Sequence, residues 1–346
     1  MNRLGRLTGV APFLLYLSLG TPACAVPVDL TVMSQNLYIG ANTDALLASP
    51  DPATAAAAFA SVVANNFPAR AGAIATEADG AGGPLLIGLQ EAYILSAPTG
   101  TTLDYTQILL DQLTAKGLNY TIAGLHTGFN LATGGYSVTE REVVLARTGI
   151  PGFTWTSVDQ TFASNFTLPP ALGSLSLARG YVLVDATLDG IPFQFLSTHL
   201  DSHKSIQEAQ AGEIVAALKT ATEPQLVVGD FNATSTDAAY LAMVAAGFID
   251  AGAAVGAVAA TCCQAPSLDN PVSQLSDRID YVFERGFSSI DSAFLVGDKP
   301  FENVRPLWPS DHAGVVATVD LPEPSAGALF AAAIFLLGLL RLRAPT

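Results

Sequence analysis

Two short runs, Leu85-Leu86-Ile87-Gly88-Leu89 and Leu226-Val227-Val228, are apolar at every position. A strand with one wet face alternates apolar and polar residues, so these runs suit interior strands of a sheet covered by other layers. Further strands are predicted over Leu30–Asn36, Glu142–Arg147, Tyr181–Leu188, Ile191–Thr198, Ile279–Phe283 and Ala313–Val319. Asp189-Gly190, between two of them, is a two-residue hairpin signal. Helical patterns lie over Ala53–Asn65, Thr106–Lys116 closed by Gly117, Lys204–Lys219, and Asp237–Ala246 closed by Gly247. Hairpins mixed with crossover helices imply a layered α/β sandwich, with ligand groups gathered where buried strands end.

With 346 residues, half of them hydrophobic and only 13% charged, the chain can bury a large core. No Pro/Ser-rich or charge-dense linker divides its middle, so one domain, residues 26–320, is expected. Both ends read as processing signals. Arg3 and Arg6 precede an apolar stretch and the small residues Ala23-Cys24-Ala25, the order of a secretory signal peptide over residues 1–25. Near the other end, Leu321-Pro322-Glu323-Pro324-Ser325 leads into an uncharged run from Ala326 to Leu340, followed by Arg341 and Arg343. That run falls short of the ~20 residues usual for crossing a bilayer, yet the basic residues after it follow the positive-inside tendency. The Pro-Glu-Pro triplet, apolar segment and terminal arginines of residues 321–346 resemble the PEP-CTERM sorting signal of bacterial envelope proteins. The resemblance implies export to the cell envelope or beyond, and recognition of the tail by envelope sorting machinery.

Removing residues 1–25 and 326–346 takes away four arginines and no acid, leaving 11 basic against 30 acidic residues, a formal charge of −19. Phosphate backbones are repelled by such a surface, which argues against a tight nucleic-acid binder but not against a nuclease screened by a bound cation. Cys262 and Cys263 remain, adjacent in sequence. Export permits a disulfide, which here would close a strained ring, and two thiols are the alternative. No catalytic role is expected of them, since no histidine lies nearby in the sequence.

The polar residues at the ends of the predicted strands carry the chemistry. Asn36 ends the first strand and Glu91 follows Leu85–Gln90; a carboxylate and a carboxamide offer the oxygen ligands that a hard cation such as magnesium prefers. His199 and Asp201 end the second strand of the hairpin, where a histidine can donate to a phosphoryl oxygen or protonate a leaving group. His203 makes an H-x-x-x-H pair with His199, but His199 looks strand-borne and no third nitrogen or sulfur ligand is at hand for zinc. In Gly229-Asp230-Phe231-Asn232 the glycine permits a tight turn that aims Asp230 and Asn232 into one space, a carboxylate to orient water and a neutral donor for phosphoryl oxygens. An Asx-turn is the competing reading of that tetrad. Asp280, in Ser276-Asp277-Arg278-Ile279-Asp280-Tyr281, pairs in principle with His312 of Ser310-Asp311-His312, because a carboxylate fixes a histidine's tautomer and favours its charged form. Asp311 can complete the metal shell.

The order Asn36, Gln90-Glu91, Thr198-His199, Gly229-Asp230-Phe231-Asn232, Arg278-Ile279-Asp280-Tyr281 and Ser310-Asp311-His312 resembles the endonuclease/exonuclease/phosphatase superfamily across nearly the whole mature domain. The resemblance implies an α/β, four-layer sandwich in which two mixed β-sheets pack face to face with helices outside. It implies that Asn36 and Glu91 hold magnesium, or manganese in its place, that Asp230 and Asn232 handle water and phosphate, and that His199 contacts the phosphate or leaving group. Asp280 then orients His312, with Asp230 and His312 joint candidates for the general base. By the same resemblance an acid supports His199, and Glu140 or Glu142, beside Arg141, is the nearest match.

The expected function is therefore metal-assisted hydrolysis of a phosphoester by activated water, without a covalent intermediate, by a monomeric exported protein. Nucleic acid, a phospholipid headgroup such as that of sphingomyelin, and a small sugar or inositol phosphate are the substrate classes. A catalytically inactive binding or matrix protein anchored in the envelope is the alternative, motivated by the sorting tail; intact motifs weigh against it.

Overall fold

The structure, a computed structural model, describes residues 28–49, 51–168, 176–256, 259–302 and 306–322. The expected signal peptide and the apolar segment of the sorting tail lie outside the described residues. Among the described residues no helix is long and apolar enough to cross a membrane.

Two large sheets form. The first contains β1 (Val28–Asn36), β2 (Leu86–Gln90), β3 (Ile94–Ser96), β4 (Thr102–Asp104), β5 (Tyr120–Thr133), β6 (Tyr136–Arg147), β15 (Ser289–Val296) and β16 (Gly314–Leu321). Its order is β15-β16-β1-β2-β6-β3-β4, with β5 on β6. The second contains β7 (Thr154–Thr161), β10 (Gly180–Leu188), β11 (Ile191–His199), β12 (Gln225–Asp230), β13 (Ile249–Asp250) and β14 (Asp280–Arg285), in the order β13-β14-β12-β11-β10-β7. A small ribbon pairs β8 (Phe166–Thr167) with β9 (Ser176–Leu177). Only β1 with β2 and β11 with β12 run parallel; the remaining pairs are antiparallel, so both large sheets are mixed.

The expected sandwich is realised in four layers. Leu30, Val32, Leu86 and Val144 of the first sheet meet Val184, Phe193, Phe195 and Leu226 of the second in a shared apolar core. The opposite face of the first sheet, through Met33, Ile87 and Leu145, packs on α2 (Pro52–Ala64), α3 (Phe67–Gly80) and α4 (Tyr105–Ala115). That of the second, through Leu196, Val227 and Phe283, packs on α5 (Lys204–Leu218) and α6 (Ala238–Ala245). Two-sided burial of β2 and β12 is thus what their unbroken apolar runs anticipate.

Local sequence sets the helix starts. Asp51 caps α2, accepting from the N–H groups of Ala53 and Thr54, with Pro52 in the first turn; Asp104 caps α4 through Thr106 and Gln107. These two helices begin one residue before the expected Ala53 and Thr106. The Asp189-Gly190 hairpin also forms: both residues take positive φ, 50° and 84°, and Leu188 pairs with Ile191. Short α1 (Asp44–Ala48) and α7 (Ala251–Val255) complete the set.

Candidate active site

Parallel pairing brings the strand ends level. Asn36, the last residue of β1, pairs with Gln90, the last of β2; in the second sheet His199 pairs with Asp230, and Asp230 in turn with Asp280. The close approach of β11 and β12 needs Gly229, where a Cβ would sit 2.0 Å from the Thr198 carbonyl oxygen and φ is +149°. Beyond the strands, Glu91 and Asn232 turn through left-handed backbone, at φ 55° and 50°. Asparagine tolerates that conformation, whereas glutamate is held there by its surroundings, a strain concentrated at the site.

Asp230 is the centre. Its Oδ2 lies 3.3 Å from His199 Nε2 and 3.7 Å from His312 Nε2. Asn36 Nδ2 donates to the same oxygen at 3.0 Å, and Asn232 N–H donates to Oδ1 at 2.8 Å. That last bond is an Asx-turn, so the structural and the chemical readings of Gly229-Asp230-Phe231-Asn232 both hold. Burial raises the Asp230 pKa to about 7, with His312 pulling it down and Asp280 pushing it up.

His312 Nδ1 donates to Asp280 Oδ2 at 2.9 Å, since a carboxylate can only accept. Burial opposes a charge on His312, but the carboxylates of Asp280, Asp311 and Asp230 outweigh it and hold the imidazole well above its ordinary pKa. Ser310 fixes the approach: its Oγ donates to the Asn36 carbonyl at 2.7 Å and accepts from His312 N–H at 3.2 Å.

His199 is held differently. Arg179 Nη1 lies against His199 Nδ1 and, being a donor only, leaves that nitrogen its lone pair. Nε2 then carries the proton, directed to Asp230 rather than to Asn232 Nδ2, which lies 3.1 Å away and donates to the Leu200 carbonyl at 2.9 Å. Burial, Arg179 and His312 together push the His199 pKa well below its ordinary value, so the ring is neutral. Glu140, expected beside this histidine, is 4.0 Å from Nδ1 and 3.3 Å from Arg179 Nη1. The acid therefore supports His199 chiefly through an interposed arginine. Glu142 stands behind it, its pKa raised well above normal by burial and by Glu140.

The oxygen-rich side of the site contains Glu91 and Asp311. Glu91 Oε2 accepts from Ile39 N–H at 3.0 Å, and Oε1 accepts from Asn36 Nδ2 at 3.2 Å. Asn36 thus bridges Glu91 and Asp230 by its nitrogen, while Oδ1, its atom able to ligate a cation, accepts from Tyr38 N–H at 2.9 Å. Burial lifts Asp311 to about 7, with His312 and Arg70 opposing and Glu91 and Asp230 adding to the rise. Crowded, partly buried carboxylates of this kind are what a divalent cation would relieve. Among the described residues no compact cluster of three ligand side chains includes Glu91 or Asp311. Magnesium, which keeps waters and takes one or two carboxylates, fits that donor set; zinc, which wants nitrogen or sulfur, does not.

Two cations escape sequence reading. Arg70 is fully buried on α3 and donates to the carbonyls of Leu37, Tyr38, Asn65 and Pro309, tying the segment after β1 to that before Ser310. A lone arginine in an otherwise uncharged helical turn is its only signal. Arg179 has none, because its partners come from other strands.

The H-x-x-x-H pair makes no metal site: His203 stacks on Phe166 and meets Asp201 at 2.7 Å, and no ligand cluster among the described residues contains both histidines. Asp201 accepts from His203 N–H, closing the turn into α5. Cys262 and Cys263 are paired with each other. Their isolation from histidine in the sequence does not persist in space, since Cys263 Sγ lies 3.9 Å from His312 Nε2.

The sequence matches the Endonuclease/Exonuclease/phosphatase family over residues 50–312, and the chain belongs to that family. The match takes in Glu91, His199, Asp230, Asn232, Asp280, Asp311 and His312; Asn36 precedes it. Three solved structures share the fold. An endonuclease/exonuclease/phosphatase family protein from Bacteroides thetaiotaomicron is 20% identical, with TM-score 0.60 over 86% of this chain and 99% of its own. A mannosyl-6-phosphatase from the same species is 18% identical, with TM-score 0.56 over 84% and 99%. A family protein from Beutenbergia cavernae is 22% identical, with TM-score 0.56 over 85% and 72%. No curated protein matches the sequence closely enough to count as a relative.

Proposed function

We propose that this chain hydrolyses a phosphoester by in-line attack of water, with a divalent cation at Glu91 and Asp311. The reading rests above all on one observation, the buried Asp230 carboxylate set between His199 and His312. Bound magnesium would polarise the phosphoryl oxygens and neutralise charge as it develops. Asn36 would join the ligands by rotating its amide, which exchanges oxygen and nitrogen toward Glu91.

Asp230, with a pKa near neutrality, orients the attacking water and takes its proton. Asn232 and the Nε2–H of His199 are neutral donors for the phosphoryl oxygens. His312, kept cationic and oriented by Asp280, faces the charge that builds on the phosphate or gives its proton to the leaving alcohol.

Export and retention at the cell envelope through residues 321–346 belong to the same proposal, resting on the sequence signals at both ends. N-terminal sequencing of the secreted chain is expected to begin at Val26.

The enzymatic test is release of product from plasmid DNA, sphingomyelin and inositol phosphates with magnesium, before and after chelation. Turnover of at least one substrate, lost with chelator and restored by magnesium, is expected. No turnover with metal binding intact would instead favour an envelope-anchored binding protein.

A further inference from the structure

A cavity of ≈ 270 Å³ opens beside the carboxylates: Glu91 and Asp311 line it, and so do Arg179 and Tyr93. Its other walls come from α1, α2, β3, β5, β6 and β9, through residues such as Phe59, Leu95, Phe129 and Leu131. Among the described residues Glu91, Asp311 and Arg179 are the only charged side chains in the lining, and each belongs to the site already described. The cavity is therefore charged where the phosphate would sit and apolar or hydroxylic beyond.

We propose that this cavity receives the organic group of the substrate, and that the preferred substrate is a phosphoester of a compact apolar alcohol or phenol. The inference rests on the hydrolytic reading above. Three considerations carry it. An apolar cavity of roughly 150 Å³ accommodates benzene, so the space here suits a fused aromatic ring or branched alkyl group. Against Phe59, Leu95 and Phe129 a sugar's hydroxyls find no partner, a cost that apolar groups do not incur; Tyr93, Tyr136 and Ser137 elsewhere in the wall offer hydroxyls to only a few of them. A polyanionic nucleic acid would meet the acidic surface, whereas a single phosphate meets one arginine, Arg179, at the cavity mouth.

The test uses two phosphonates whose carbon–phosphorus bond the site cannot hydrolyse, 1-naphthylmethylphosphonate and methylphosphonate. Their binding to the full mature chain with magnesium is measured calorimetrically. The naphthyl compound is expected to bind at least roughly tenfold more tightly, from the apolar area it buries, and with a negative heat-capacity change. Ala58→Phe, which fills the cavity from half-buried Ala58 on α2, is expected to remove most of that difference and leave methylphosphonate binding unchanged. Leu131→Asn, on β5, repeats the test without adding bulk. Equal affinities for the two phosphonates, or equal weakening of both by each variant, would overturn the assignment. Hydrolysis of 1-naphthyl phosphate and glycerol phosphate with equal kcat/KM would also overturn it while leaving the hydrolytic reading intact. Selective naphthyl binding without turnover of any ester would sink the hydrolytic reading and retain the cavity. Preference for long-chain phospholipid vesicles over the compact aryl ester would assign the space to an acyl chain and reject a compact occupant.

Discussion

His312 Nδ1 and Asp280 Oδ2 lie 2.9 Å apart, both side chains buried, although Asp280 opens β14 of the second sheet and His312 lies just before β16 of the first. The pair sets which ring nitrogen faces Asp230. Asp280→Asn keeps the shape but offers no full negative charge, so the imidazolium loses its main support. A fall in kcat of about 10² to 10⁴ is expected with KM nearly unchanged, because the tautomer and charge of His312 matter in the transition state. A comparable change in KM alone would assign the pair to substrate binding.

Asp230→Asn removes the proton acceptor while keeping the side chain's size and one oxygen that can accept from Asn232 N–H. Hydrolysis is expected to fall by about 10³ or more, with an unaltered circular dichroism spectrum and Tm within a few degrees of the parent. His312→Ala should lose activity to a similar degree, and the double variant little more, because groups acting in one step are not additive. Additive losses would separate the two roles.

Arg70 presents four of its hydrogen bonds to carbonyl oxygens buried with it. Arg70→Met fills much of the volume but leaves those carbonyls unpaired. A stability loss of about 3–5 kcal/mol is expected, read as a Tm lower by roughly 10 °C. Activity measured well below that Tm should fall as well, since the segments carrying Asn36 and Asp311 lose their common anchor.

Glu77 gives the fold a pH dependence separate from catalysis. Burial lifts its pKa from 4.5 to about 7, against the pull of a Gly297 N–H bond. Between those values the folded protein holds a proton that the unfolded chain has released. Stability therefore falls as pH rises through that window and stays reduced above it. Glu77→Gln, neutral throughout, is expected to exceed the parent in stability by about 2 kcal/mol at pH 8 and to match it near pH 4. Denaturant titrations at both pH values check this.

The interior strands were legible because burial on both faces writes an unbroken apolar run, as in β2 and β12. Strands with wet faces left weaker traces: β7 is almost wholly exposed, and β5 carries two register shifts that break its alternation. Helix α3 hides behind Pro68 and several small residues, although a proline in the first turn is compatible with a helix. The eight candidate site residues were visible as polar flanks of strands, five at or just after their ends and three, Asp280, Asp311 and His312, at or before their starts. The contact of Arg179 with His199 was not, because it depends on how β10 and β11 lie side by side, and that register is written in pairings rather than in any short segment.

The pairing of β1 with β16 sets Val28 opposite Leu321. During synthesis β1 precedes every other described strand and its neighbour β16 follows them all, so the first sheet lacks that pairing until the last described strand has emerged. Ser310 and His312 reach Asn36 and Asp230 only then. A growing or truncated chain would carry nearly every strand yet remain latent, and because such distant pairing is slow to form, the onset of activity should report the final step of folding.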